Sequence, residues 1–222
     1  MRYHFQFREI LDNSDLLLRG IGLTVALWLV SFAFAMSAGL LIGIARGSRV
    51  RWLNWAATFY IELFRNIPLL VQLIWFYFAF PVLSGIKLAP FTAATIGFSL
   101  NSSAYCAELY RSGMQSIGRG QWEGAHALGM TYTQALRRII LPQAIRRMIP
   151  AFTNRAVELA KSTSIASVLE VPELMYQARE LSSATFLPLE TFAVVSVIYF
   201  LLIYPVTWAS SVLERRLAVG GV

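Results

Sequence analysis

The chain alternates five long apolar stretches with polar links. A helix needs about 20 mainly apolar residues to cross the hydrocarbon core of a bilayer, and each stretch reaches that length. The pattern therefore predicts an all-α membrane protein with five transmembrane helices. Their predicted limits are 20–45, 52–82, 91–113, 149–169 and 189–213. In the second stretch, Pro68 follows Asn66 and is expected to break the helix, exposing backbone groups that are tolerated only beside a cavity.

Composition supports a membrane protein over other classes. Hydrophobic residues make up 57% of the chain and charged residues 14%, with a mean hydropathy of +0.58, whereas soluble domains are nearer a quarter charged. The net charge of +7 raises the possibility of nucleic acid binding. The basic residues lie between the apolar stretches, however, which favours membrane orientation and no nucleic acid. The single cysteine, Cys106, excludes an intrachain disulfide and a thiolate metal site.

Basic residues between the stretches predict the orientation. Most of them lie after the first stretch, after the third stretch and at the C-terminus: Arg46, Arg49, Arg51, Arg111, Arg119, Arg137, Arg138, Arg146, Arg147, Arg215 and Arg216. Positive residues accumulate on the cytoplasmic side, so these segments are expected inside. Segment 1–19 is then an interfacial segment outside, 20–217 is a single transmembrane domain, and the tail 218–222 is inside. The basic residues of segment 1–19, Arg2 among them, oppose this orientation, and its acidic residues partly offset them.

The link 112–148 is far longer than two adjacent helices require. Helix-forming residues precede Gly129, which suits a left-handed C-terminal cap. Thr131 with Gln134 fits a capping box that opens a second helix, and Pro142 is expected to end that helix near Leu141. The pattern predicts a short helix, a tight turn and another short helix on the cytoplasmic face. The alternative is an ordinary solvated loop.

The same segment resembles the EAA loop of ATP-binding-cassette (ABC) importer permeases. The family pattern is Glu-Ala-Ala, three residues, Gly, nine residues, Ile, one residue and Leu-Pro. This chain has Glu123-Gly124-Ala125, then Gly129, Ile139, Leu141 and Pro142. Every spacing matches, and Gly124 replaces the first alanine, which loosens the helix by up to ~1 kcal/mol.

Further segments resemble the polar amino acid uptake permeases within that family, the histidine/glutamate/arginine type. They are 62–72 (ELFRNIPLLVQ), Ala104-Tyr105 with Glu108 and Arg111, Gly120-Gln121, 141–144 (LPQA) and 161–164 (KSTS). These collinear motifs extend the resemblance over about residues 18–217.

The resemblance implies a division of labour within a type I ABC importer in the bacterial cytoplasmic membrane. The expected partners are a cytoplasmic ATPase dimer, a second permease subunit (identical or related), an extracytoplasmic amino acid-binding protein and membrane lipid. ATP and Mg²⁺ are expected to act in the ATPase partner, because this chain has no Gly-x-x-x-x-Gly-Lys-Ser/Thr phosphate loop. The chain itself is expected to bind no cofactor and to catalyse no reaction.

A surface on the insert is expected to dock on the ATPase. The candidate coupling residues are Gln121, Glu123, Gly124, Ala125, Ala127, Leu128, Gly129 and Met130. Glu123 is expected to pair with a basic group of the ATPase or to cap its own helix, while small Ala125 allows close approach. Methionine and apolar side chains suit the centre of an interface. His126 is interpreted as a surface residue.

Charged residues inside the predicted spans suggest a substrate pathway. The i, i+3 spacing places Glu62 with Arg65, Glu108 with Arg111, and Glu158 with Lys161 on common helix faces. Candidate pathway residues are Arg65, Asn101, Ser102, Tyr105, Glu108, Glu158, Lys161, Thr163 and Ser164. Arg65 would face the carboxylate of an amino acid, and Glu108 or Glu158 its ammonium. The alternative is that these pairs only brace the helices, with specificity in the binding protein.

Two other function classes fit the sequence less well. A stand-alone secondary transporter or channel for small polar solutes is disfavoured by the long insert and the absence of paired half-repeats. A membrane-embedded enzyme is disfavoured because the sequence has no His-Glu-x-x-His or Gly-x-Ser-x-Gly motif. Which amino acid is carried, and whether the second permease is another copy, stay open at the level of sequence.

Overall fold

The computed structural model describes residues 5–218, with side chains to Arg215. Every regular element in this range is helical, which confirms the predicted all-α class. The helices are α1 (Phe7–Asp12), α2 (Ser14–Arg46), α3 (Arg51–Asn66), α4 (Leu69–Ile74), α5 (Phe80–Ser84), α6 (Pro90–Gln115), α7 (Arg119–Ala127), α8 (Tyr132–Ala135), α9 (Leu141–Ser162), α10 (Leu174–Thr185) and α11 (Pro188–Ala218). Two π-helical segments, Trp75–Ala79 and Leu136–Ile140, and a 3₁₀ segment, Thr163–Leu169, join some of them. Arg2, the Arg216 side chain and the tail beyond 218 lie outside the described residues.

Helices long and apolar enough to cross a membrane coincide with the predicted first and last spans. Within the described residues, α2 and α11 meet that standard alone, and the bent pair 51–66 and 69–84 adds a third candidate. Helix α2 begins at Ser14, earlier than predicted. Helix α6 covers the predicted third span, and α9 with the 3₁₀ segment covers the fourth. Buried polar residues such as Asn101 and Ser102 make α6 less apolar than α2 and α11.

The predicted break in the second span is confirmed. Helix α3 ends at Asn66, and Ile67 is extended with φ −89° and ψ 130°. The backbone before a proline is pushed out of the helical region, so the chain turns at Pro68 and resumes as α4. The helix axis bends by 104° between the two halves.

Helix α6 lies at the centre of the bundle, in contact with α2, α3 and α9. Its approach to α2 is close. A Cβ at Gly39 of α2 would lie 2.5 Å from Cys106 Cβ and 2.9 Å from the Ser103 carbonyl oxygen. Small residues at such crossings allow backbones to pack tightly in membranes. Helices α3 and α9 pack on other faces of α6, so its polar residues face both of them.

Helix α10 occupies the link between the last two spans, where the sequence analysis proposed no helix. Its N-cap, Glu173, is fully buried and accepts hydrogen bonds from the backbone N–H groups of Met175 (3.0 Å) and Tyr176 (2.8 Å). The hydroxyl of Tyr199 on α11 also donates to it at 3.1 Å. A carboxylate with several donors is stable in a buried position, so Glu173 fastens α10 to α11.

Candidate functional site

The turn after α7 is built on Gly129. Its φ of +73° lies in the left-handed region that favours glycine. The Gly129 N–H donates to the His126 carbonyl at 2.9 Å, and the Met130 N–H donates to the Ala125 carbonyl at 3.1 Å. This pair of bonds is a Schellman motif, which confirms the predicted cap at Gly129.

The capping box that opens α8 is also confirmed. The Thr131 hydroxyl accepts from the Gln134 N–H at 3.4 Å, and the Gln134 side chain accepts from the Thr131 N–H at 2.9 Å. Beside it, the Trp122 ring stacks on Tyr132 with centroids 5.3 Å apart. The insert is therefore an ordered helical hairpin, and the alternative of an ordinary solvated loop is wrong.

The predicted end of the second helix near Leu141 is wrong. The chain stays helical through Pro142 and runs into α9 without a break. The wide π turn Leu136–Ile140 directly precedes Pro142, which stands in the first turn of α9. The π turn makes room for the ring, and a missing N–H is tolerated in a first turn. As a result, the insert is joined to the membrane bundle by one continuous helical rod.

Most candidate coupling residues lie on the surface. Gln121, Glu123, Gly124, Ala127, Leu128 and Gly129 are exposed, and Met130 is half-buried. Leu128 is the most prominent, at 78% exposure. Ala125 is buried within the chain, so the expectation that it allows close approach to a partner is wrong: it packs inward. Glu123 makes no capping bond in α7 and has no partner among the described residues.

A cluster of polar side chains joins α6 to α9. The Arg155 guanidinium donates to Asn101 Oδ1 at 2.9 Å, to Ser102 Oγ at 3.0 Å and to Glu158 Oε2 at 2.9 Å. It also lies 4.0 Å from the centroid of the Tyr105 ring. We call these five residues the Arg155 cluster. Arg155 is 7% exposed, whereas the Glu158 side chain is 64% exposed, so the cluster has a buried cation beneath an open carboxylate.

Helix α3 brings a second guanidinium, that of Arg65, beside the Arg155 cluster. Arg65 lies over the Tyr105 ring at 5.3 Å from its centroid and is exposed. The predicted pairing of Arg65 with Glu62 is wrong, because Glu62 instead accepts from Asn66 Nδ2 at 3.0 Å. The interhelical contact with Tyr105 takes Arg65 away from its helical neighbour.

The backbone carbonyls freed by the break at Pro68 are satisfied by side chains. Gln72 Nε2 donates to the Phe64 and Ile67 carbonyls at 2.9 and 2.8 Å, and Asn101 Nδ2 donates to the Phe64 carbonyl at 2.9 Å. Gln72 is buried. A mainly apolar space of about 340 Å³ lies beside the break. Asn101 thus connects the broken helix to Arg155.

Glu108 is held by two arginines. It pairs with Arg111 as predicted, through Arg111 Nε at 2.9 Å, and additionally with Arg46 at the end of α2. The Arg46 contact ties α2 to α6, as a brace near the predicted cytoplasmic edge. The charge of Glu108 is therefore balanced within the chain, and its role toward a substrate ammonium stays a prediction.

The remaining pathway candidates lie apart from the cluster. The predicted Glu158–Lys161 pair is wrong, since Glu158 binds Arg155 instead. Lys161 and Ser164 line a separate cavity of about 390 Å³ against α11. Thr163 is buried, and its hydroxyl donates to the Ala160 carbonyl at 2.7 Å. These three side chains do not meet Asn101 or Ser102.

Two residues that connect the helices at this candidate site, Arg155 and Gln72, were not predicted from the sequence. Arg155 is absent from the predicted pathway residues, although it stands three residues before Glu158, the same spacing used for the other pairs. Gln72 was predicted only as the last residue of the family-like segment 62–72. No local signal identifies its partners, because they are backbone groups freed by a tertiary bend.

Comparisons with known proteins place these features in one family. The family model described as "Binding-protein-dependent transport system inner membrane component" matches residues 35–219. The probable amino-acid ABC transporter permease protein YckA of Bacillus subtilis is 38% identical over 97% of this chain and 95% of its own length. The L-cystine transport system permease protein TcyB of the same organism is 39% identical over 89% of this chain and 85% of its own length.

Solved structures of ABC transporters also match this chain. A crystal structure described as an amino acid ABC transporter with histidines matches with a TM-score of 0.91 at 33% identity, covering 96% of this chain and 100% of that chain. An inward-facing MetNI methionine ABC transporter matches with a TM-score of 0.74 at 22% identity, covering 93% of this chain and 98% of that chain, and supports the fold alone.

Proposed function

Because this chain belongs to the family of binding-protein-dependent transport system inner membrane components, we propose that it is the permease subunit of an ATP-driven importer of polar amino acids. The observation that carries the proposal is the structural match to an amino acid ABC transporter, which covers 96% of this chain with a TM-score of 0.91. Relatives named for amino acid, L-cystine and arginine transport support the same substrate class. The fold is that of a type I ABC importer permease, and the chain is an inner membrane component.

We infer five membrane crossings within the transmembrane domain 20–217. They are α2, the broken unit from α3 to α5, α6, α9 with its 3₁₀ segment, and α11. The N-terminus is outside and the C-terminus inside, because the basic links lie after the first and third crossings. The insert containing α7 and α8 is then cytoplasmic.

The exposed face of α7 is the proposed dock for the ATPase. Leu128 offers an apolar contact, and the unpaired Glu123 offers a charge to a basic partner group. The continuous helical segment from the start of α8 to Arg155 is 24 residues long, about 36 Å at 1.5 Å per residue. A tilt imposed on the insert by ATPase closure would therefore reach the Arg155 cluster directly.

The Arg155 cluster is the proposed contact with substrate. Arg65, Tyr105 and Glu158 reach the open side, while Asn101 and Ser102 position Arg155 from beneath. Lys161 and Ser164 belong to the second cavity along α11. The assembly comprises an ATPase dimer that uses ATP and Mg²⁺, a second permease subunit and an external amino acid-binding protein; this chain contributes the pathway and no catalysis.

Reconstitution tests the function. The chain, purified with an ABC ATPase and a binding protein from neighbouring genes and placed in proteoliposomes, should accumulate a radiolabelled polar amino acid only when ATP and the binding protein are both present. ATP without the binding protein should give background uptake. Uptake driven by an ion gradient without ATP would instead support a stand-alone secondary transporter.

Cysteine labelling tests the coupling surface and the orientation. The native Cys106 is buried, so it gives a low background. Leu128→Cys should react with an impermeant maleimide in inside-out vesicles but not in right-side-out vesicles, and the bound ATPase should protect it. Lys87→Cys, exposed in the link between α5 and α6, is the matched control and should show the reverse sidedness. Labelling of Leu128→Cys from outside would contradict the proposed topology.

A further inference from the structure

The Arg155 cluster together with Arg65 contains more positive than negative charge. Two guanidinium groups, those of Arg155 and Arg65, lie over the same Tyr105 ring at 4.0 and 5.3 Å. Only Arg155 pairs with a carboxylate in the described part of the chain, that of Glu158 at 2.9 Å. The other hydrogen-bond partners of Arg155 are the neutral groups of Asn101 and Ser102.

Arg155 also has unused hydrogen-bonding capacity. Its Nε is buried and has no partner among the described residues. Buried polar groups in proteins are nearly always hydrogen-bonded, and an arginine fork binds a carboxylate with two parallel bonds. The exposed Arg65 makes no ion pair in the described part of the chain, so a second cation is open beside the first.

Apart from Glu158, no acid in the described part of the chain forms an ion pair with either of these cations. Glu108, one turn along α6 from Tyr105, is already bound by Arg46 and Arg111. Glu62, one turn before Arg65 on α3, accepts from the Asn66 side chain and does not contact either guanidinium. Charges interact strongly in the low-dielectric surroundings of a membrane bundle, so this imbalance selects among ligands.

The fixed charges match one class of amino acid. An amino acid with a side-chain carboxylate has two carboxylates and one ammonium, the complement of two guanidiniums and one carboxylate. A neutral amino acid leaves one guanidinium without a carboxylate. A cationic amino acid adds a positive group beside two others, and like charges brought together are strongly unfavourable.

We propose, building on the permease function above, that this chain carries acidic amino acids, with Arg65 and Arg155 receiving the two carboxylates and Glu158 receiving the α-ammonium. Family membership leaves this class open. Relatives with similar identity are named for L-cystine, arginine and glutamine transport. The class is therefore decided by the charges of this chain.

Direct binding to the permease–ATPase complex, without the binding protein, isolates the selectivity of this site. Equilibrium dialysis of the complex in nanodiscs would use radiolabelled L-glutamate, with L-aspartate, L-glutamine and L-arginine as competitors. A charge-assisted hydrogen bond is worth roughly 1.5–3 kcal/mol, or about 10- to 100-fold in affinity. L-Aspartate should compete well, L-glutamine at least about tenfold more weakly, and L-arginine least of all.

Two variants localise the effect. Arg65→Gln changes an exposed side chain and should leave folding intact, while Arg155→Gln removes the buried cation. Each should lower the affinity for L-glutamate about tenfold and the affinity for L-glutamine by less. The ratio of the glutamate affinity to the glutamine affinity should therefore fall. Arg49→Gln, an exposed arginine in the link between α2 and α3, is the matched control and should bind like the wild type.

Several outcomes would overturn the proposal. They are L-arginine binding as tightly as L-glutamate, an unchanged glutamate-to-glutamine ratio in Arg65→Gln, or no binding to the complex at all. If ATP-dependent uptake of another polar amino acid persists alongside any of these, the permease function stands and only the acidic class fails. If no polar amino acid is taken up with ATP, both fail.

Discussion

Replacing Gly129 with valine should reduce ATP-driven uptake at least tenfold while leaving the complex assembled in the membrane. Gly129 has a φ of +73°, and the left-handed region costs an ordinary L-residue roughly 1–2 kcal/mol, with a β-branched side chain faring worse. The substitution should open the two Schellman bonds to Ala125 and His126. The exposed face of α7 would then lose its fixed angle to the rod that carries Arg155. Uptake into proteoliposomes at saturating ATP measures this loss.

Gly124→Ala is the matched control for that experiment. Gly124 is exposed in α7, and a Cβ there would meet no atom within 4 Å. Alanine favours a helix over glycine by up to ~1 kcal/mol, so uptake should be unchanged or slightly higher. If Gly129→Val transported as well as Gly124→Ala, the turn between α7 and α8 would have no part in coupling.

Replacing Gln72 with leucine should destabilise the permease more than any exposed substitution. Gln72 Nε2 donates to two carbonyls at the helix break, those of Phe64 and Ile67. Leucine leaves the Ile67 carbonyl without that donor, and an unsatisfied buried group costs about 1–3 kcal/mol. For a chain of this size, each kcal/mol shifts the unfolding midpoint by about 2–4 °C. The midpoint in detergent should therefore fall by about 2–12 °C.

The control is Gln121→Leu, the same change at an exposed position of α7. The Gln121 side chain accepts one exposed hydrogen bond, from Gln143 Nε2 at 3.1 Å. After the substitution, water can take the place of Gln121 as the partner of Gln143. Surface substitutions usually stay within about 0.5 kcal/mol. Equal midpoints for Gln72→Leu and Gln121→Leu would show that Gln72 does not support the break.

Local signals in the sequence predicted the parts of the fold that local physics controls. Gly129 forms the left-handed cap, Thr131 and Gln134 form the capping box, and Pro68 breaks the second span, all as expected. Each of these depends on the backbone of one or two residues and on neighbours within four positions. The orientation and the docking of α7 stay predictions.

Local reasoning failed where packing decided between alternatives. Pro142 was expected to end a helix, but the π turn before it keeps the helix continuous. Glu158 has basic residues three positions away on both sides, Arg155 and Lys161. Helix spacing allows either pair. Asn101 and Ser102 on α6 hold Arg155 in place and thereby settle the choice.

The sequence by itself determined that this chain is a helical membrane protein with the motifs of an ABC importer permease, because apolar length, charge distribution and motif spacing are properties of the linear chain. Only the tertiary structure decided that Arg155 and Gln72 are central and that Glu108 is neutralised by Arg46. The partners of these side chains come from other helices or from carbonyls freed by a bend. Their hydrogen bonds depend on how closely α2, α3 and α9 approach α6, which no spacing along the chain specifies.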